Sequence, residues 1–351
     1  MPKNIVIFSD GTGQDGGFGY NTNIYKLFNM VEDRSARQVA FYDAGLGTGF
    51  QRVSGSIGGA GISRNIRQCY EFIFRNYETG DRIFLFGFSR GAATVRSLSS
   101  FIHYFGILPQ SRPELIRRAY CIYKTSRGDK RKREADEFVH RHHTIWARVT
   151  FLGCFDTVAA LGLPNKSASA ILDGIPGFRH KFHNFRLSES VENAYHALAL
   201  DDERKAFLPV LWDSEHLPYQ RVRQVWFAGM HTDVGGGYKE QELSDIPLVW
   251  MASMAVRHGL WIYPRHQVEI AENANGTMHD SRGTWLTKLY RRKVRGWDQR
   301  RQDPLVVHQS VIDRMNSNAN NYMPWIGTRA LSYEIEPWRR HEDHEWYRRP
   351  G

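Results

Sequence analysis

Residues 82–93 read RIFLFGFSRGAA, and no other stretch narrows the possible folds as far. The first seven form an almost continuous apolar run, the pattern of a strand covered on both faces. Such strands belong to mostly parallel sheets sandwiched between helices. Other short runs fit the same sheet: 4–9 (NIVIFS), 38–42 (QVAFY), 149–155 (VTFLGCF) and 222–228 (VRQVWFA). Between them, apolar residues recur at helical spacing over 23–31, 63–77, 92–105 and 244–258. Residues 188–198 also read as a helix, capped by Ser188, with Val191, Ala194, Tyr195 and Leu198 on its buried side. The alternation predicts an α/β domain with a doubly wound, mostly parallel sheet. It occupies residues 1–330, with a charged tail at 331–351. A basic helical insertion is expected at about 110–148, a lid-like loop at 163–187 and a polar excursion at 270–303.

Composition bounds the class. The chain has 351 residues, 41% hydrophobic and 24% charged, enough for a large buried core. No apolar run is long enough to span a membrane as a helix. The cysteines, Cys69, Cys121 and Cys154, are too few and too widely spaced for a disulfide framework, which suits a reducing compartment. The N-terminus enters a strand at once, so no signal peptide is expected. The expected location is the cytoplasm of the producing cell, with any export by a secretion system that needs no signal peptide. The formal net charge of +10 suits anionic partners such as phospholipid headgroups.

Gly87-Phe88-Ser89-Arg90-Gly91 matches G-x-S-x-G between an apolar strand and a small-residue helix. A serine on such a sharp turn presents its hydroxyl above the sheet edge, next to the positive end of a helix. Ser89 is therefore the candidate nucleophile, and the backbone N–H of Arg90 the first oxyanion donor. The second donor is expected from the loop after the first strand, at Gly11 or Thr12. A serine needs a base, and the base an orienting carboxylate. Asp156 and His231 each directly end a strand and make the preferred assignment. Asp233 as acid with His308 as base remains the alternative. Asp10-Gly11-Thr12 also hints at an aspartyl-phosphate phosphatase, but Phe8 would stand at the nucleophile position and cannot attack.

Several segments occur together and in order: FSDGTG (8–13), TNIYKL (22–27), YDAGLGTG (42–49), GFSRGAA (87–93), FLGCFDTVAALG (151–162), AYHALALDDER (194–204), VWFAGMHTDVGGGY (225–238), LSDIPLVWM (243–251) and VHQSV (307–311). This set resembles an α/β-hydrolase domain family related to the catalytic domain of type VI secretion phospholipase effectors. The resemblance implies an α/β-hydrolase core and esterase or phospholipase activity through a Ser-Asp-His triad. It carries Ser89 over and leaves both Asp/His pairs open. It implies a lipid or phospholipid ester substrate and no cofactor. The effectors carry a further membrane-docking region, whereas this chain ends soon after the resembling segments, so a stand-alone hydrolase fits as well. A soluble esterase or thioesterase, or a non-catalytic binding module, would use the same fold.

The remaining features have plainer readings. The cations at 117–133 suit contact with an anionic membrane or a solvated helix face. Only Tyr120 and Tyr123 are interleaved for base stacking, so no nucleic acid is expected. His140, His142 and His143 lack the partners of a metal site. Asp201-Asp202-Glu203 reads as a turn or cap rather than a cation site. Trp212, Trp226, Trp250, Trp261 and Phe178 are candidates for core or acyl pocket. Partner proteins are not legible.

Overall fold

In a computed structural model of the chain, the run at 82–88 is strand β4 (Arg82–Phe88) of a mixed sheet. The structure describes residues 2–11, 17, 19–31, 34–45, 57–158, 186–263, 266–317, 321–329 and 331–347. The other strands are β1 (Asn4–Ser9), β2 (Arg34–Ser35), β3 (Gln38–Asp43), β5 (Val149–Phe155), β6 (Val191–Ala199), β7 (Arg221–Phe227), β8 (Val306–His308) and β9 (Glu334–Glu336). Their order is β2-β3-β1-β4-β5-β6-β7-β8-β9. Only the short β2 is antiparallel to its neighbour; every other pairing is parallel.

Both faces are covered, which explains the unbroken apolar runs. Ile5, Ile7, Ile83 and Leu85 point to one face, under α2 (Ile57–Asn76), α3 (Arg90–Phe105), α4 (Leu115–Thr125) and α5 (Gly128–His142). Val6, Phe8, Phe84 and Phe86 point to the other, under α1 (Asn23–Met30) and the long helix Glu242–Arg257. A parallel sheet wrapped on both sides, with a strand-serine-helix turn at its centre, is the α/β-hydrolase fold.

Three expectations change. Residues 188–198 are not a helix: Val191–Ala199 is β6, between β5 and β7. Val191, Ala194, Tyr195 and Leu198 satisfy helical spacing, but a strand buried on both faces needs no alternation, so spacing alone misleads. The basic stretch at 117–142 is two helices, and their apolar sides are core: Tyr120, Tyr123 and Phe138 are buried against α3. The charged tail is held against the rest of the chain as far as residue 347. β9 extends the sheet, His341 donates its backbone N–H to Glu272 at 2.6 Å, and Trp346 and Tyr347 pack on the core. The expected lid at 163–187 lies almost entirely outside the described residues, as does Phe178. Trp212, Trp226 and Trp250 are buried in the core, and Trp261 is exposed.

Candidate active site

Ser89 sits between β4 and α3 with φ 57° and ψ −119°. A non-glycine residue rarely adopts positive φ, and strain of this kind costs on the order of 1–3 kcal/mol unless the surroundings impose it. The close packing that the two glycines of the motif permit holds the turn in this shape. A Cβ on Gly87 would fall 2.5 Å from the Gly91 carbonyl oxygen. A Cβ on Gly91 would fall 2.0 Å from the Ser9 carbonyl oxygen. The motif thus lets α3 press against both the strand it follows and the end of β1. Its first turn leaves backbone N–H groups without helical partners, and that of Arg90 is the first after the serine.

The next strand along places the candidate acid. Ser89 donates its N–H to the Phe155 carbonyl at 3.1 Å, and Asp156 follows at the end of β5. Asp156 is fully buried and also has positive φ, 36°. His231 opens a short helix, α6 (His231–Gly235), after β7. Its Nδ1 is 2.6 Å from Asp156 Oδ2. The imidazole lies between Phe88, with ring centroids 4.7 Å apart, and Phe207, at 5.1 Å. Phe88 directly precedes Ser89, so the structure brings Ser89, Asp156 and His231 into one neighbourhood.

Asp156 has a further partner that the sequence does not announce. Arg295 is fully buried and grips the carboxylate with both ends of its guanidinium, Nη1 to Oδ1 at 2.6 Å and Nη2 to Oδ2 at 2.8 Å. It also donates to the carbonyls of Ala199 and Phe207. Burial alone would raise the Asp156 pKa. The Arg295 charge and hydrogen bonds, joined by His231, outweigh it and hold the carboxyl well below the usual range. Arg295 comes from the 270–303 segment, which is therefore no mere excursion. Nothing in the sequence separates it from neighbouring Arg291 and Arg292, which are exposed.

The alternative pair does not meet. Asp233 accepts from the backbone N–H of Met230 and His279 and bonds His279 Nδ1 at 2.7 Å. His308 is buried, with Nδ1 2.8 Å from the Ser310 hydroxyl and its ring stacked on Phe227. Burial pushes its pKa down to about 3.

The expected second oxyanion donor divides. A Cβ on Gly11 would come 3.6 Å from Ser89 Cβ, so this turn does adjoin Ser89. The Gly11 N–H, however, donates to Asp10 Oδ1 at 2.6 Å. Thr12 lies outside the described residues. Asp10 also accepts from the Thr22 hydroxyl at 2.5 Å and the Tyr42 hydroxyl at 2.8 Å. Burial, opposed by these bonds, raises its pKa to about 6.

The acidic trio braces the histidine. Asp201 accepts from the Gly229 N–H and the Tyr322 hydroxyl. Asp202 pairs with Arg204 and accepts the His231 N–H at 3.3 Å. Glu203 pairs with Arg292. The Asp201 and Asp202 contacts hold the turn between β7 and α6. Among the described residues no group of three or more His, Cys, Asp and Glu could hold a metal ion. No described helix is long and apolar enough to cross a membrane.

Residues 3–254 match the T6SS phospholipase effector Tle1-like catalytic domain. An uncharacterized protein of Saccharomyces cerevisiae is 30% identical over 230 residues, 58% of this chain and 32% of its own length. The chain thus spans about a third of the length of that curated relative. Among solved structures, an uncharacterized protein from Pseudomonas aeruginosa aligns over 78% of this chain and 49% of its own, at 16% identity and TM-score 0.49. The Tle1 effector bound to the VgrG spike of the type 6 secretion system aligns over 68% of this chain and 52% of its own, at 20% identity and TM-score 0.40. The esterase Est2 of Thermogutta terrifontis covers 74% and 84%, at 15% identity and TM-score 0.38.

Proposed function

Because the chain belongs to the T6SS phospholipase effector Tle1-like catalytic domain family, we propose that it is a serine hydrolase that cleaves carboxylic esters of lipids or phospholipids. The observation that carries the reading is the 2.6 Å contact between His231 Nδ1 and the buried Asp156 carboxylate, beside the strained turn that presents Ser89. With Nδ1–H given to Asp156, Nε2 is the acceptor nitrogen.

The reaction runs in two halves. Ser89 Oγ attacks the ester carbonyl while His231 Nε2 takes its proton. The carbonyl π electrons move to oxygen, and the Arg90 N–H stabilises that charge. An oxyanion donor of this kind contributes about 3–4 kcal/mol. The intermediate then expels the alcohol, which leaves with the proton from His231, and an acyl-Ser89 remains. Water gives a proton to His231 Nε2 and attacks the acyl carbon; the bond to Ser89 Oγ breaks, Oγ takes the proton back from His231, and the fatty acid is released. Asp156 holds the imidazole tautomer and stabilises the imidazolium without taking the proton. Arg295 keeps Asp156 ionised.

Labelling with a fluorophosphonate probe tests this directly. The expected result is rapid labelling of the wild type and none of Ser89→Ala. Asp156→Asn and His231→Ala should label more slowly by about 10⁴-fold or more, while Asp233→Asn and His308→Ala, if folded, should label near the wild-type rate. A folded wild type that fails to label would overturn the hydrolase reading in favour of a binding module.

A further inference from the structure

A different surface bears on where such a reaction would occur. Trp285, Leu289 and Val294 are exposed, at 74%, 57% and 38%. They fall in one short stretch that opens with the helical turn α8 (Trp285–Lys288); the intervening α7 is Glu242–Arg257. Lys288, Arg291 and Lys293 stand among them and are also exposed. Of the exposed cations at 288–293, only Arg292 is ion-paired among the described residues, with Glu203.

This stretch lies at the rim of the candidate active site. Lys205 donates its N–H to the Arg291 carbonyl at 2.8 Å, and Lys293 donates to the Glu203 carbonyl at 2.7 Å. The Tyr290 ring is 5.8 Å from Phe207, which lies against His231. Arg295, two residues on, binds Asp156.

We infer that residues 285–294 are the surface by which the protein seats on an anionic lipid bilayer, with the catalytic centre brought to the membrane–water interface. The inference rests on the lipid-ester reading above. Exposed Trp and Leu suit the headgroup–acyl boundary, and unpaired Lys and Arg suit anionic headgroups. The basic helices and the other two exposed tryptophans among the described residues do not combine both ingredients beside Ser89. On α4 and α5 the cations are exposed, but Tyr120, Tyr123 and Phe138 are buried, which leaves charge without an apolar anchor. Trp146 precedes β5 and Trp261 bonds Gln38 at the start of β3, so both lie at the sheet edge opposite Ser89.

Co-sedimentation of the full Ser89→Ala chain with vesicles tests the surface without consuming the lipid. Vesicles of phosphatidylcholine alone are compared with vesicles that also contain phosphatidylglycerol. Lys288→Ser, Arg291→Ser and Lys293→Ser should each weaken binding to the mixed vesicles about fivefold, and barely affect phosphatidylcholine. W285S/L289S should weaken binding to both by about tenfold or more. With Ser89 restored, the same variants should hydrolyse a water-soluble short-chain ester at the parent rate. Matched thermal melts verify folding, and Trp285→Ser alone serves if the double variant melts early. Failure of the Ser89→Ala chain to bind mixed vesicles, or undiminished binding by the variants, overturns the inference. If the wild type leaves the soluble ester intact, the hydrolase reading fails instead, and vesicle binding still reports on the surface.

Discussion

Replacing Arg295 by methionine isolates what the buried guanidinium does for the acid. The side chain makes four hydrogen bonds, two to Asp156 and one each to the carbonyls of Ala199 and Phe207, all between 2.6 and 2.8 Å. Methionine fills much of the volume and supplies none of them. Removing one member of a buried ion pair typically costs about 3–5 kcal/mol, because the other charge is left uncompensated. That is a large share of the roughly 5–15 kcal/mol that stabilises an ordinary folded domain. The direction with pH follows from the depressed native pKa of Asp156. Its contribution is present above the unfolded carboxylate value of about 3.9 and is lost as pH falls below that toward the native value. Without Arg295, burial dominates and the Asp156 pKa rises. Part of the population then carries a neutral acid that cannot stabilise the imidazolium. The assay is the fluorophosphonate labelling rate per folded molecule across pH, together with the urea midpoint. The acid limb of labelling should move to higher pH by about one unit or more, and the midpoint should fall. Arg295→Lys should recover part of both, since one ammonium keeps the charge but cannot reproduce the planar fork. A folded Arg295→Met protein with the wild-type acid limb and midpoint would refute the reasoning.

Gly91→Ala places a methyl 2.0 Å from the Ser9 carbonyl oxygen. The α3 terminus must then lift from β1, and labelling of Ser89 should fall by about 10²-fold or more, in keeping with the cost of a small misplacement. Asp10→Asn should flatten the dependence of stability on pH. The raised native pKa of Asp10, about 6, stabilises the fold below the unfolded value, and that contribution disappears as pH rises through about 6. The two-unit difference corresponds to at most about 3 kcal/mol, read as a smaller loss of urea midpoint from pH 4 to 8 in the variant.

The candidate nucleophile is legible in the sequence because everything that defines its turn is local. An apolar strand, a serine between glycines and a small-residue helix are contiguous, and the steric demands of Gly87 and Gly91 explain the glycines. Asp156 and His231 were legible as polar residues that end apolar strands. Their pairing was not, since Asp233 and His308 follow strands just as well and only the fold turns them toward His279 and Ser310. β6 was misread because a strand buried on both faces can show any spacing. Arg295 was invisible because its role depends on a carboxylate 139 residues away, and a basic stretch looks the same whether its members are solvated or buried. The C-terminal segment reads in sequence only as a charged tail, while Glu272 holds His341 and aromatic packing draws it onto the core.

The strand order also governs how the chain comes together as it is synthesised. β1 must wait for β3 and β4 before its two edges are filled, but from β4 to β9 each strand joins the same growing edge in sequence order. Chains fold broadly from the N-terminus as they emerge, so the sheet can lengthen strand by strand behind the ribosome, always at the edge away from β2. The serine turn arrives first, Asp156 one strand later, and His231 two strands after that. Arg295 emerges only after all three and before β8. Until then Asp156 has no guanidinium to hold it ionised in the interior. The nascent chain therefore carries Ser89 long before the proposed site is complete, and Arg295 is the last of its four members to emerge.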